Sequence, residues 1–179
     1  MELAAKAALV RPRMGELERN GWAHELGEPA ETEGLPPALA DLYRVFDGLS
    51  TRMGLIDLFA ADDVLAELDK QGTGGPHADP HNPVPQLVQF GNVCYSFALC
   101  TDIDSGAVHL VDADALIEAV EQGAPLPTEP LAPNPVAFAD AFLFGPRYRE
   151  LIDLAGGYQT PEDEEEDEWR LLIEELGFA

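Results

Sequence analysis

One pair of histidines in this sequence has a spacing that could bind a metal ion. His77 and His81 are four residues apart with Asp79 between them, the spacing of two zinc ligands on one face of a helix. Segment 76–83 contains three prolines, however, which the interior of a helix does not accommodate. We therefore predict a loop and no metal site.

Two short segments are similar to ligand-binding loops. Asp102 and Asp104 form the Asp-x-Asp pattern with which a calcium-binding loop begins. The fifth and twelfth positions of such a loop must supply oxygen ligands, but here they are Gly106 and Ala113. The glycine-rich segment 72–75 lacks the Lys-Ser/Thr that follows in a phosphate-binding loop. We predict a hairpin turn for the first segment and a plain loop for the second.

The two cysteines, Cys94 and Cys100, are weak candidates for catalysis. They are six residues apart in a predicted strand, which places them on one face about 20 Å apart, too far for a disulfide. Residues 71–146 contain no Lys or Arg, and a negative field raises the pKa of a thiol. There is no G-x-S-x-G motif, and carboxylates are too frequent for any pair to stand out. We predict no catalytic residue and no cofactor, and an enzyme is the least favoured class.

The 179-residue chain is strongly acidic, because 34 Asp and Glu against 10 Lys and Arg give a net charge of −24. Such a surface is repelled by nucleic acids and anionic membranes and attracted to cationic proteins. The N-terminus does not resemble a signal peptide, and no apolar run reaches the ~20 residues of a membrane span. We expect a soluble, cytoplasmic protein that binds a cationic protein, and neither nucleic acid nor membrane; its oligomeric state stays open.

The apolar fraction of 46% predicts a packed core, and helical patterns flank a β-rich centre. Residues 1–34 are predicted as a broken helical N-terminal extension, 35–157 as an α+β domain, and 158–179 as an acidic C-terminal helix packed on that domain. Within the α+β domain, helices are predicted over 36–47, 62–70, 112–122, 136–144 and 147–155.

The β-rich centre contains four predicted strands, at 54–59, 87–90, 93–100 and 107–111. Asp104-Ser105-Gly106 is predicted to join the last two as a hairpin. The proline-rich segment 125–135 is predicted to be a connector.

The C-terminal segment has the pattern of a single helix. Thr160 is a good N-cap, Pro161 suits the first position, and the acids that follow favour the first turn. Trp169 and Leu172 begin an apolar face that continues to Gly177.

Several short motifs occur in a fixed order along the chain. In order they are Leu35-Pro36, Asp47-Gly48, Gly54-Leu55-Ile56, Ala61-Asp62-Asp63-Val64-Leu65, Gln89-Phe90-Gly91-Asn92, Tyr95-Ser96-Phe97-Ala98-Leu99, Gly106-Ala107-Val108-His109-Leu110 and a late helix over 136–143. Over about residues 30–145 this order resembles the SUKH superfamily, which groups fungal cell-wall-synthesis regulators with bacterial immunity proteins that neutralise polymorphic toxins.

The resemblance implies an α+β fold, with a mainly antiparallel sheet and helices packed around it, and a non-catalytic binding role. Most matched positions, such as Leu39, Tyr43 and Phe46, are expected to serve folding. We expect an immunity protein that blocks a cognate toxin, with a basic nuclease as the expected class, since a nuclease is cationic where it holds phosphates. The alternative is a regulatory or scaffold protein in cell-envelope or stress physiology.

Two sets of acidic residues are the candidate partner-binding positions. The first flanks the predicted sheet and consists of Asp102, Asp104, Asp112 and Asp114. The second is the C-terminal run Glu162, Asp163, Glu164, Glu165, Glu166, Asp167 and Glu168. For both sets the alternative is a solvated charged surface that binds nothing.

Overall fold

A computed structural model describes residues 1–17, 24–51, 55–71, 86–115, 126 and 128–179. The predicted loop at 71–85, with His77, His81 and the glycine-rich segment 72–75, lies almost entirely outside these residues, as does most of the predicted helix at 112–122.

The fold is α+β, as predicted, and its centre is a seven-stranded antiparallel sheet. The strands follow one another in chain order across the sheet, so each pairs with its sequence neighbour. They are β1 (Glu25–Leu26), β2 (Leu49–Ser50), β3 (Ile56–Leu58), β4 (Leu87–Val93), β5 (Phe97–Asp102), β6 (Val108–Asp112) and β7 (Thr128–Ala132).

Helices precede, interrupt and follow the sheet. They are α1 (Leu3–Val10), a 3₁₀ helix (Arg11–Glu16), α2 (Pro37–Tyr43), α3 (Ala61–Gln71), α4 (Pro135–Phe138), a π-helical segment (Ala139–Leu143), α5 (Tyr148–Leu154), α6 (Pro161–Glu165) and α7 (Glu168–Glu175). Residues 113–115 are also helical, and the Asp112 side chain before them accepts from the amide of Asp114 at 2.9 Å.

One apolar core includes residues from both ends of the chain. Trp169 of α7 is fully buried, donates from Nε1 to the carbonyl of Leu143 at 2.9 Å, and meets Phe144 edge-on at 5.2 Å. From α1, the ammonium of Lys6 reaches the carbonyl of Phe144 at 2.8 Å. The first and last helices therefore pack against the same π-helical segment.

The N-terminal region differs in part from the predicted broken helix. Residues 3–16 are helical, but Glu25–Leu26 form the first strand of the sheet, and residues 28–32 have no regular structure. Gly27 allows this, since a Cβ there would lie 1.8 Å from the carbonyl oxygen of Asp47.

The strand predicted at 93–100 begins later than predicted. Residues Cys94–Ser96 form the turn between β4 and β5, and Gly91 and Asn92 belong to β4. The spacing argument for the cysteines is therefore wrong, because Cys94 lies in the turn and only Cys100 lies in a strand. Both are free thiols. The turn at Asp104–Gly106 is confirmed, with Gly106 at φ 78°.

The connector predicted at 125–135 contains strand β7. Pro130 lies within it, opposite His109 of β6. A proline has no amide hydrogen to donate, but an edge strand needs to bond on one side only, and β7 is the last strand of the sheet.

The C-terminal helix is broken in two between Glu165 and Glu168. The predicted cap at Thr160 is confirmed, since its hydroxyl accepts from the amide of Asp163 and the Asp163 carboxylate accepts from the amide of Thr160. The break occurs at Asp167, which leaves helical geometry and caps α7 by accepting from the amide of Arg170 at 3.0 Å.

Candidate functional site

The turn between β4 and β5 has an unusual backbone for its residues. Cys94 and Tyr95 have φ of 48° and 62°, and no other non-glycine residue in the described ranges has a positive φ. A positive φ is disfavoured for any residue that has a Cβ, at a cost of about 1–3 kcal/mol per residue. At this turn Tyr95 has 73% of its surface exposed.

A small cleft lies beside this turn, and we call it the Tyr95 cleft. Its volume is about 150 Å³, and it is lined by Leu55, Cys94, Tyr95, Gly157, Tyr158, Gln159 and Asp163. The turn forms one part of the lining, and the segment from the end of α5 into α6 forms another. This site was not predicted from the sequence, because Tyr95 was expected to lie within a strand.

A hydrogen bond fixes Tyr158 at the cleft. Its hydroxyl donates to Oδ2 of Asp167 at 2.7 Å. Burial and the neighbouring Asp167 carboxylate raise the pKa of Tyr158, so the phenol stays protonated and remains a donor at neutral pH. Asp163 also lines the cleft, and the capping box of α6 holds its carboxylate against the amide of Thr160.

The first set of acidic candidates is divided between the two ends of the β5–β6 hairpin. Asp102 lies near the Asp104–Gly106 turn, whereas Asp112 pairs with Phe97 at the other end, about 15 Å away for a strand of this length. The structure thus brings together Asp102 with Asp104, and Asp112 with Asp114, but not all four.

Asp102 has a local role in its turn. Its carboxylate accepts from the amides of Asp104 and Ser105 and from the Ser105 hydroxyl, at 2.7 to 3.0 Å. The bond from the Ser105 amide, above all, lowers the pKa of Asp102.

The other pair, Asp112 and Asp114, lies next to the β4–β5 turn. The amide of Ala113, between them, donates to the carbonyl of Ser96 at 3.0 Å. Asp114 is exposed. This turn therefore has acidic residues near it from both candidate sets, Asp114 from the first and Asp163 from the second.

Two members of the C-terminal acidic run are buried. Asp167 and Glu168 are 5% and 6% exposed, and Oε2 of Glu168 lies 3.0 Å from Nε2 of His24. Their carboxylates are held inside the protein, so they do not belong to a surface that a partner could contact. Glu162, Asp163, Glu164, Glu165 and Glu166 stay on the exposed or half-buried side of α6, and Glu164 is paired with Arg149.

A larger cleft of about 570 Å³ lies near strands β1 to β3 and the start of α3. Four carboxylates line it, from Glu25, Asp47, Asp57 and Asp63. Burial and the neighbouring Asp63 carboxylate raise the pKa of Asp57. The carboxylate of Asp47 already accepts one hydrogen bond, from the amide of Ala61 to Oδ1 at 2.7 Å. From the sequence, Asp47 and Asp63 were named only within short motifs, and no site was predicted here.

Each lysine and arginine side chain that the structure describes is paired with a carboxylate of the same chain. The pairs are Lys6–Asp140, Arg11–Glu28, Arg13–Glu175, Arg44–Asp41, Arg147–Glu150, Arg149–Glu164 and Arg170–Glu174. The positive charges of these residues are thus neutralised by carboxylates of the same chain, and the remaining carboxylates make the surface negative.

The thiols are poor nucleophiles. Burial raises the pKa of Cys100 to about 12, and burial together with Asp167 raises that of Cys94 to about 11. Among the described residues, no three or more His, Cys, Asp or Glu side chains are grouped so that they could hold a metal ion.

Comparisons with models of known protein families, with curated proteins and with solved structures found no match to this chain. Of the helices in the described ranges, none has the length and apolar character to cross a lipid bilayer.

Proposed function

We propose that this protein is a non-catalytic binding protein that docks onto a cationic protein and blocks it, in the manner of an immunity protein that neutralises a toxin such as a basic nuclease. The observation that carries the proposal is the charge pattern: a net charge of −24, with every described lysine and arginine side chain already paired within the chain. Such a surface attracts a cationic partner and speeds its association by ~10 to 1000-fold.

Two further observations support this proposal. The thiols have raised pKa values and so are protonated at neutral pH. The motif order that resembles the SUKH superfamily, Leu35-Pro36 through Gly106-Ala107-Val108, favours a toxin-neutralising role over an enzymatic one.

The test begins with the genes next to that of this protein. One of them should encode a large secreted protein with a toxin-like C-terminal domain, and its absence would favour the regulatory or scaffold alternative. The test then uses that domain. That domain should bind the full chain, lose its toxic activity in the complex, and associate more slowly as salt rises from about 0.1 M to about 1 M, where the Debye length falls from about 10 Å to about 3 Å. Absence of binding would contradict the proposal, and so would binding that leaves the toxic activity intact, as expected of a scaffold.

A matched pair of variants locates the contact. Asp114→Asn removes a charge beside the β4–β5 turn, and Asp104→Asn removes the same charge at the opposite end of the β5–β6 hairpin; both residues are exposed. We expect roughly two- to fivefold weaker binding for Asp114→Asn and no change for Asp104→Asn. Equal effects would place the contact elsewhere.

A further inference from the structure

Two tyrosines and an aspartate are among the residues that line the Tyr95 cleft. Tyr95 comes from the β4–β5 turn, Tyr158 from the segment after α5, and Asp163 from α6. We infer that this cleft receives an arginine side chain of the protein partner, with the guanidinium against the tyrosine rings and beside the Asp163 carboxylate. The inference rests on the proposed function, because it names the group on the partner that the cleft recognises.

The exposure of Tyr95 is the first support. Tyr95 is 73% exposed and, like Cys94 before it, has a positive φ, a conformation that costs stability when the residue is not glycine. A large aromatic side chain held outward on a short turn between two paired strands is a typical anchor in protein interfaces, where tyrosine is enriched.

The second tyrosine is already in place. The Tyr158 hydroxyl is bonded to Asp167, and Asp167 is held by the amide of Arg170 at 3.0 Å. Its ring needs little ordering when a ligand arrives, which reduces the entropic cost of binding.

The size and charge of the cleft favour a single cationic side chain. Its 150 Å³ is smaller than the ~300–1000 Å³ of sites for drug-sized ligands. No lysine or arginine is among its described lining residues, and the nearby Arg149 and Arg170 are paired with Glu164 and Glu174. A guanidinium stacks on tyrosine faces and bonds a carboxylate through two nitrogens, which an ammonium group cannot do.

The test titrates the ¹⁵N-labelled full chain with N-acetyl-argininamide and, in parallel, with its neutral isostere N-acetyl-citrullinamide. We expect the arginine compound to shift the amide signals of Tyr95, Ser96 and Tyr158, and the citrulline compound to leave them unchanged at the same concentration. Equal shifts with both compounds would overturn the inference, because the cleft would then not select for charge.

Variants assign the effect to the cleft residues. Tyr95→Gly suits the positive φ and removes the ring, and we expect roughly three- to thirtyfold weaker binding of the arginine compound. Asp163→Asn keeps an oxygen for the cap at Thr160 and removes the charge, and should weaken binding roughly two- to fivefold. Glu165→Gln, on the same helix but outside the cleft lining, is the matched control and should bind like the parent chain.

The outcome separates this inference from the proposed function. If Asp163→Asn and Glu165→Gln weaken binding equally, the cleft assignment is wrong, because attraction by the general negative charge then explains the effect. The titration uses no partner protein, so its failure would leave the proposed function standing. Failure of the partner domain to bind would contradict the proposed function while the titration still reported on the cleft.

Discussion

At the scale of single residues, Tyr95 links backbone strain to exposure. Its φ of 62° follows the 48° of Cys94, and the side chain between β4 and β5 is mostly in solvent. A residue that costs stability without joining the core is best explained by a role in contact with another molecule, which is how strained backbone at functional sites is commonly used.

We predict that Tyr95→Gly does not destabilise the protein and raises the free energy of unfolding by about 0.5 kcal/mol. The substitution removes ~1–2 kcal/mol of strain from the left-handed backbone of the folded state. Against this, the greater freedom of glycine in the unfolded chain lowers the free energy of unfolding by ~0.4–1 kcal/mol. Urea unfolding measures the change. Ser96→Gly, in the same turn but without a positive φ, should lose about 0.5 kcal/mol. A loss of stability in Tyr95→Gly equal to that in Ser96→Gly would contradict the role of strain.

The carboxylates differ in what they contribute to stability. The pKa of Asp57 is raised by burial and Asp63, so the folded chain binds its proton more tightly than the unfolded chain and ionisation opposes folding at neutral pH. The pKa of Asp102 is lowered by hydrogen bonds, so its ionisation favours folding above the unfolded-state pKa of about 4.

We predict opposite effects of the two Asp→Asn substitutions at neutral pH. Asp57→Asn should raise the melting temperature and Asp102→Asn should lower it. Below about pH 4 the difference in melting temperature between each variant and the parent chain should shrink. Asp57 is then protonated, and the contribution of Asp102 is lost as pH falls through its lowered pKa. Thermal unfolding from pH 7 to about pH 3 measures both. Effects of the same sign at neutral pH would contradict this assignment.

At the scale of elements, a buried polar contact joins the start of α7 to the segment just before β1. Glu168, the first residue of α7, meets His24 just before β1, and both side chains are almost fully buried. Removing one member of such a pair is costly, since the remaining group loses a hydrogen-bonding partner at a site with little access to water.

We predict that Glu168→Ala lowers the free energy of unfolding by about 3 kcal/mol. The control is Glu174→Ala on the same helix, which breaks an exposed pair with Arg170 and should cost less than about 1 kcal/mol. Chemical unfolding of both variants gives the comparison. Similar losses would show that the buried contact between Glu168 and His24 contributes no more to stability than an exposed ion pair.

The sequence predicted those elements whose local signals agree with one another. The cap at Thr160 and the turn at Asp104–Gly106 depend on neighbouring residues alone, and both were predicted correctly. Strand β7 could not be predicted, because Pro130 is tolerated only where a strand forms the edge of the sheet, which is a property of the tertiary structure.

The candidate site was predicted only in part, for a similar reason. The acidic residues were recognisable, but their grouping depends on which end of a hairpin each occupies, and the turn at Cys94–Ser96 contains no glycine that would have marked it. The burial of Asp167 and Glu168 within a run of seven acids likewise follows from partners far away in sequence, such as His24.

At the scale of the whole molecule, charge is the dominant property. The described cations are paired internally, and the excess of carboxylates repel one another. This repulsion destabilises the folded state. Binding of a cationic partner would neutralise the carboxylates and relieve the repulsion.

We predict that added sodium chloride stabilises the free protein. Between about 0.01 M and about 1 M salt the Debye length falls from about 30 Å to about 3 Å, which screens the repulsion. The melting temperature should rise by about 3 °C, corresponding to ~1 kcal/mol for a chain of this size. An unchanged or lower melting temperature would show that the carboxylates are not in strong mutual repulsion.

The most direct test of the docking proposal is the association rate constant between this chain and a toxin domain found in a neighbouring gene, measured by stopped flow from about 0.01 M to about 1 M salt. We predict association that is fast at low salt and slows by at least about tenfold at high salt, with Asp114→Asn slower than Asp104→Asn. An association rate that does not change with salt would contradict docking of an acidic surface onto a cationic partner.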